Sequence, residues 1–500
     1  MTFLRYLTEY TKVNPLFTYA LLLFALLSSV KYLPFFRQVR ISPRWLLCLI
    51  LLTGLALRVG WLWGSAYEPV MHGLAANPTE NDLMQMHAVG LTQGKWFLNP
   101  DGTASGRRPI GYPMLLGACY QVFGVDVRVV WVLHLVLFAV TALLVYRIGK
   151  EIFGRGPGLV AAFFYSIYPV SVYSVKLITD EHLFLPVWFA GLALLLYECR
   201  TKVRPWSWLV YGVLFGYAAM IRTHVIFMPL VMALTYALKR FSWRVVLGTS
   251  FLTLFVMQAV NVPWVIRNYR AWGVPVVYTA TSCFIFAQLH TGVTPEGGTM
   301  LPKKGEPDYS EELENAPNEG VAHAICSRQM KRWIVAHPAE FLDLGISRVL
   351  LFMHWNRWGG VWPLFYQFDQ GGPGAASLQG GARKALEEIA YEAYYFLLHS
   401  FLVALLFLWL RRKALLAATK TGLAVLGFCF FFYLCEHMII YPDRKYRFPL
   451  EPLMMIVAAY GLEKLIRGWR WEAVGAKGLA VFRWIHGVMG SKAPRTEDVK

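Results

Sequence analysis

Continuous apolar runs of about twenty residues recur along this chain, each long enough to cross the roughly 30 Å of hydrocarbon in a bilayer as a helix. Eleven can be read, near 16–34, 45–63, 127–147, 158–176, 182–198, 206–222, 223–238, 245–264, 391–410, 421–440 and 450–466. A membrane barrel would instead show segments of about ten residues alternating in polarity, so these runs are helices. With 57% of its 500 residues hydrophobic and only 16% charged, the chain is too apolar for an ordinary water-soluble domain. The expected fold class is an all-α polytopic membrane protein.

Basic residues orient the spans, because Lys and Arg in short loops stay on the cytoplasmic side. Lys31, Arg37, Arg40 and Arg44 share one loop. Arg147, Lys150 and Arg155 follow two spans later, then Arg200, Lys202 and Arg204, then Lys239, Arg240 and Arg244, then Arg411, Arg412, Lys413 and Lys420. Those loops hold a single acid, Glu151, and all fall on one side if the N-terminus is outside. The formal charge of +18 therefore reports topology and contact with anionic lipid headgroups, and no nucleic-acid partner is expected. The run at 16–34 lacks a following small-residue cleavage site and reads as a retained helix.

Two regions of substance then lie outside: 64–126 and 265–390. In the first, Asp82 precedes an apolar face at helical spacing (Leu83, Met84, Met86, Val89, Leu91), and Gly94 stands where a helix would stop. Pro113 suits the first turn of a second amphipathic helix, Met114 to Phe123, ended by Gly124. Two surface helices roofing the spans are expected. In the second region, 292–320 reads as an exposed loop, 321–355 regains helical period, and the Gly-rich 369–382 reads as a flexible lid. Cys283 and Cys326 both fall there, where an oxidising compartment could join them; the other five cysteines sit in or beside apolar runs.

The candidate chemistry is all on that outer face. Glu80 and Asp82 open the first external helix, and either carboxylate could take a proton from an attacking hydroxyl. Asp82 with Gln85 three residues on also makes a capping box, which leaves Glu80 freer of a structural role. Asp180 and Glu181 stand at the junction of the fourth and fifth spans, placed for function or for the positive end of a helix dipole. Arg222 interrupts an apolar hairpin, and Arg267 follows the eighth span. Guanidinium groups at that depth suit bidentate capture of phosphate, or simply snorkel. Arg444, Lys445 and Arg447 break the positive-inside pattern, and an anionic ligand would explain them. Nine histidines lie outside (His72, His87, His182, His224, His290, His323, His337, His354 and His437), yet none has the spacing of a metal motif. No metal ligand is assigned, although a divalent metal could take part.

Taken in order, the motifs resemble a known family. They are Glu80-Asn81-Asp82; Arg108-Pro109-Ile110-Gly111-Tyr112-Pro113; Thr179-Asp180-Glu181-His182; Ile221-Arg222-Thr223; Ile266-Arg267-Asn268-Tyr269; His337-Pro338-Ala339-Glu340-Phe341; and Lys445-Tyr446-Arg447-Phe448-Pro449. This series, from about residue 45 to 466, is similar to that of the GT-C-fold membrane glycosyltransferases, the broad family that includes protein O-mannosyltransferases and lipid A aminoarabinose transferases. The resemblance implies an inverting transfer of sugar from a polyprenyl-phosphate carrier to an acceptor hydroxyl of a lipid, glycan or protein on the external face of a bacterial inner membrane. It also implies a base at Glu80 or Asp82. Substrate contacts would come from Arg108, Tyr112, Asp180, Glu181, Arg222, Arg267, Tyr269, Lys445 and Arg447. The family pattern has Asp, often followed by Glu, where this chain has Glu80-Asn81. No Gly-rich nucleotide fingerprint is present, which favours a lipid-borne donor.

The chain divides accordingly. An extra N-terminal membrane helix occupies 1–40, and a core with the first external loop occupies 41–265. An external region follows at 266–390, then C-terminal spans at 391–470 and a basic tail at 471–500. The competing class is a transporter or flippase for a lipid-linked substrate, which would put ionisable residues at mid-membrane depth.

Overall fold

The computed structural model describes residues 42–65, 80–281, 311–353, 362–364, 367, 381–440 and 444–468. The expected helix at 16–34, His72, His290, His354, the basic tail and all of the 369–382 lid except its last two residues, which begin a helix, lie outside the described residues. The regular structure that is described is helical, apart from one isolated bridge between Leu98 and Ala104. The protein is a multi-pass membrane protein. Six helices are long and apolar enough to cross a bilayer: α1 (Pro43–Gly64), α4 (Val127–Phe153), α7 (Glu181–Arg200), α10 (Trp243–Trp272), α13 (Gly381–Leu410) and α14 (Ala417–His437). Between them stand α2 (Glu80–Thr92), α3 (Gly111–Phe123), α5 (Arg155–Ile167), α6 (Pro169–Tyr173), α8 (Ser207–Ile221), α9 (Met228–Leu238), α11 (Glu319–Ala336) and α12 (Pro338–Met353). α15 (Glu451–Gly468) ends the series.

Local chemistry sets the ends of these helices. Ser42 caps α1 with its hydroxyl toward the Trp45 N–H, and Pro43 occupies the first turn, where its missing N–H costs nothing. Asp126 caps α4 through the Arg128 N–H at 2.7 Å, and Asn318 caps α11 through the Val321 N–H at 2.9 Å. Gly94 and Gly124 follow α2 and α3 with φ of 73° and 83°, a backbone region open chiefly to glycine, as the sequence reading expects. α2 begins at Glu80, two residues before the expected cap, so Asp82 stands in the first turn.

The count of eleven spans is not reached among the described residues. The run 158–176 is broken at Tyr168, which precedes Pro169 and is forced extended (φ −63°, ψ 120°), so that α5 and the Pro169–Lys176 segment meet at 51°. α8 and α9, with 15 and 11 residues, are shorter than a full crossing and are separated by Arg222 and the turn Thr223–Val225. Apolar composition alone could not show these interruptions, because a broken helix pair carries the same residues as a straight one.

Small residues let the helices approach. A methyl at Gly158 would sit 2.7 Å from the Tyr146 carbonyl oxygen, and one at Gly212 would sit 2.4 Å from Val256. α7 is the centre of the bundle: 72% of its apolar window is buried, against at most 39% for any other span. Its N-terminus therefore opens in the middle of one end of the protein.

Candidate active site

Three turns joining different pairs of helices converge at that end. The turn before α7 brings Asp180, the break between α8 and α9 brings Arg222, and the turn before α15 brings Lys445 and Tyr446. The Arg222 guanidinium donates to Asp180 Oδ1 through Nε at 3.2 Å and Nη2 at 2.7 Å, and Nη2 also donates to Glu181 Oε1. All three side chains are buried, and the guanidinium lies 5.3 Å from the centroid of the Tyr446 ring. Burial pushes the Asp180 carboxyl up, but Arg222 and Lys445 outweigh it and hold the group below the usual carboxylate range. Two carboxylates and two cations packed together out of water are costly unless each is held in place, so this geometry is over-determined.

Around this centre runs a layer of histidines and tyrosines that the sequence reading did not assemble. Tyr112 lies near both acids, and burial first, then Tyr120 and the charge of those acids, pushes its phenol well above the ordinary tyrosine value. Its hydroxyl meets His134 Nε2 at 2.8 Å while His134 Nδ1 faces the Val175 carbonyl at 2.9 Å. A carbonyl only accepts, so Nδ1 carries the proton and Nε2 accepts from Tyr112. His182 stacks on His134 with centroids 4.1 Å apart. On the other side His224 Nδ1 donates to Glu436 Oε2 at 2.6 Å, and Thr223 donates to Glu436 Oε1 at 3.2 Å. His134 and Glu436 stand inside apolar runs, where spacing gives no hint of a partner more than 100 residues away in the second case.

The expected arginines have definite partners. Arg267 donates to the carbonyls of Ser105 at 2.9 Å and Phe97 at 2.6 Å, and lies 4.8 Å from the Trp264 ring centroid. It pins the loop between α2 and α3 to the end of α10. Glu319 on α11 holds the same loop from above, accepting from Asn99, the Gly106 N–H and Arg107. Arg447 donates to Glu451 Oε1 at 3.0 Å and the Phe352 carbonyl at 3.1 Å, and stacks 3.4 Å over Tyr394. Arg108 is half-buried and close enough to His87 to act on it, whereas Tyr269 is exposed.

α2 and α3 pack on each other through Gly117, where a methyl would lie 2.9 Å from Leu91 and 3.0 Å from the Ala88 carbonyl oxygen. Met84, Ala88, Tyr112, Leu116 and Tyr120 join the main core, so the two helices do cover the bundle. His87, within α2, is buried against Phe97; burial, then Arg267 and Arg108, push its imidazole down to about 4. Glu80 and Asp82 begin this helix, but their side chains lie outside the described residues, as does that of Arg444. Cys326 is buried and disulfide-bonded, and Cys283 lies outside the described residues. Among the described residues no group of three or more His, Cys, Asp or Glu is placed to hold a metal ion.

Several buried cations escaped the sequence reading, among them Arg58, Lys176 and Arg348. Arg58, inside α1, donates to the Gly54 and Ser166 carbonyls and to Ser171 Oγ and lies 3.4 Å from the Phe138 ring centroid. It ties α1 to α5 and α6 with oxygen dipoles in place of a carboxylate. Only its position in an apolar run marks it in the sequence.

Comparison with known proteins finds a likeness over part of this framework. Residues 107–266 match the family described as dolichyl-phosphate-mannose-protein mannosyltransferase, a stretch that contains Arg108, Tyr112, Asp180, Glu181 and Arg222. No curated protein matches the chain. Among solved structures, the archaeal oligosaccharyltransferase AglB from Archaeoglobus fulgidus, in complex with an inhibitory peptide and a dolichol-phosphate, is 12% identical with a TM-score of 0.46. The match covers 90% of this chain and 52% of that one, so the chain spans about half the length of AglB. ArnT from Cupriavidus metallidurans, bound to undecaprenyl phosphate, is 14% identical with a TM-score of 0.38, over 85% of this chain and 79% of that one.

Proposed function

We propose that this protein is an inverting glycosyltransferase of the GT-C class, moving a hexosyl or pentosyl group from a polyprenyl-phosphate carrier to an acceptor hydroxyl at the external face of a bacterial inner membrane. The observation that carries the reading is the buried Asp180–Glu181–Arg222 cluster, built where three turns meet and lying wholly within the stretch that matches the mannosyltransferase family.

In this reading each residue of the site has a role. Glu80 or Asp82, in the first turn of α2, takes the proton from the acceptor hydroxyl. The acceptor oxygen then attacks the anomeric carbon from the face opposite the phosphate. The carbon–oxygen bond to phosphate breaks, and the carrier leaves as a phosphate monoester, so the anomeric configuration inverts. Lys445 and Arg222, fixed by Asp180 and Glu181, set a positive field for that departing phosphate, and the Tyr112 hydroxyl contributes polarity beside them. Arg267 and Arg447 serve the site through position. The first holds the loop that follows α2, and the second holds the turn that carries Lys445.

The test uses purified protein with a panel of polyprenyl-phosphate sugars, following release of free polyprenyl phosphate. Glu80→Gln or Asp82→Asn should slow release by about 10²–10⁴-fold, the usual value of a general base, while the protein stays folded and carrier-bound. Full activity in both single variants and in the double variant would refute the assignment. Intact carrier appearing on the opposite leaflet would support a flippase instead.

A further inference from the structure

The opposite end of the bundle holds a site that the transfer reaction does not use. A cavity of about 430 Å³ is lined by Glu151, Leu196, Cys199, Arg200, Lys239, Leu416, Ala418 and Thr421. That size lies within the range of small-molecule sites, roughly 300–1,000 Å³. Glu181 and Arg200 are the two ends of α7, a 20-residue helix, so this cavity and the acid cluster are separated by roughly 30 Å, one bilayer thickness.

The lining is biased in charge. Glu151 is already paired twice, with Arg147 at 2.9 Å and with Arg200 at 3.1 Å, and Arg200 also donates to the Glu151 carbonyl. Two guanidinium groups therefore already face this one carboxylate. The Lys239 ammonium makes no hydrogen bond or ion pair among the described residues, although it lines the cavity from the end of α9. The Thr421 hydroxyl, engaged with the Ala417 carbonyl, adds a polar atom, and Leu416 is 76% exposed at the same cavity. An unpaired ammonium beside a guanidinium, with an exposed leucine at the rim, suits an anion that carries a hydrocarbon tail. All the lining cations come from loops that the positive-inside rule assigns to the cytoplasm, where anionic lipids are concentrated.

We propose that this cavity seats the headgroup of an anionic glycerophospholipid from the cytoplasmic leaflet, its phosphodiester between Lys239 and Arg200 and its acyl chains over Leu416. The bound lipid fastens the ends of α4, α7, α9 and α14 together. The proposal is independent of the sugar-transfer reading, because it concerns the other end of the helices and is read by binding alone.

Native mass spectrometry of the purified full chain in detergent tests it, with phosphatidylglycerol, phosphatidylcholine, polyprenyl phosphate and inorganic phosphate as probes. One phosphatidylglycerol should be retained in preference to phosphatidylcholine and polyprenyl phosphate, and millimolar inorganic phosphate should not displace it. Lys239→Gln should reduce retention about fivefold, the weight of one cation near an anionic lipid, and Lys239→Arg should restore it. Equal retention of the zwitterionic lipid, or unchanged retention in Lys239→Gln, would overturn the proposal. Displacement by inorganic phosphate, or tighter retention of polyprenyl phosphate, would overturn it too, by assigning the cavity to a soluble anion or to the carrier.

Discussion

At one end of the bundle a single guanidinium serves two carboxylates, and at the other two guanidiniums serve one. Arg222 sits between Asp180 and Glu181 with none of the three more than 6% exposed, whereas Arg147 and Arg200 flank Glu151 with 43% and 42% of their side chains in solvent. The contrast separates two uses of charge in a membrane protein. Half-exposed cations at helix ends mark sidedness and meet headgroups, and each pair contributes little to stability. A buried cluster of both signs is expensive to form, so its presence calls for a task that needs charge held away from water.

Removing one guanidinium from each end should expose the difference most strongly. Arg222→Ala leaves two carboxylates buried together and should cost about 3–5 kcal/mol, while Arg147→Ala should cost no more than about 1 kcal/mol. Thermal unfolding in detergent reads both, and equal losses would erase the distinction. A smaller effect is expected in the helices that cover the buried cluster. Gly117→Ala pushes a methyl against the Ala88 carbonyl and should cost about 1–3 kcal/mol, read by the same unfolding and by faster proteolysis of 80–123.

Acid should sharpen the comparison further, with a milder effect. Among the described residues no histidine lies in the loops around Glu151, but at the other end His87 is buried between Arg108, Arg267 and Phe97. Its folded pKa, about 4, lies below the unfolded value of about 6.5, so the native loop binds fewer protons than the unfolded one. The stability it contributes is present above about pH 6.5 and is lost as the pH falls toward 4. Hydrogen exchange in α2 should accelerate across that window and exchange near Glu151 much less. His87→Gln should flatten the response, and an unchanged profile in that variant would remove His87 as the cause.

Periodicity and glycine placement made much of this legible from sequence. The spans at 45–63, 127–147, 182–198, 245–264, 391–410 and 421–440 each fall on a long helix, and Gly94 and Gly124 end the two surface helices. Asp180, Glu181, Arg222 and Lys445 could be named because charge at the edge of an apolar run stands out against its neighbours. The break at Tyr168, the clamp that Arg267 makes on Phe97 and Ser105, and the hold of Glu319 on Gly106 could not. Each depends on which partner arrives across 100 or more residues, or on how a helix bends, and neither leaves a local pattern. The His134–His182 stack was hidden for a related reason: one ring lies within a span and the other at a helix start, so the pair exists only once α4 packs on α7.

The most direct test is the rate at which free polyprenyl phosphate is released from a polyprenyl-phosphate sugar by protein reconstituted in vesicles. The wild type should release it, Glu181→Gln should be slower by about 10²–10³-fold, the range for losing one preorganised electrostatic contact, and Lys420→Gln at the exposed opposite end should match the wild type. Release by Glu181→Gln at the wild-type rate, or no release by the wild type with any donor sugar, would contradict the assignment of this buried cluster to sugar transfer.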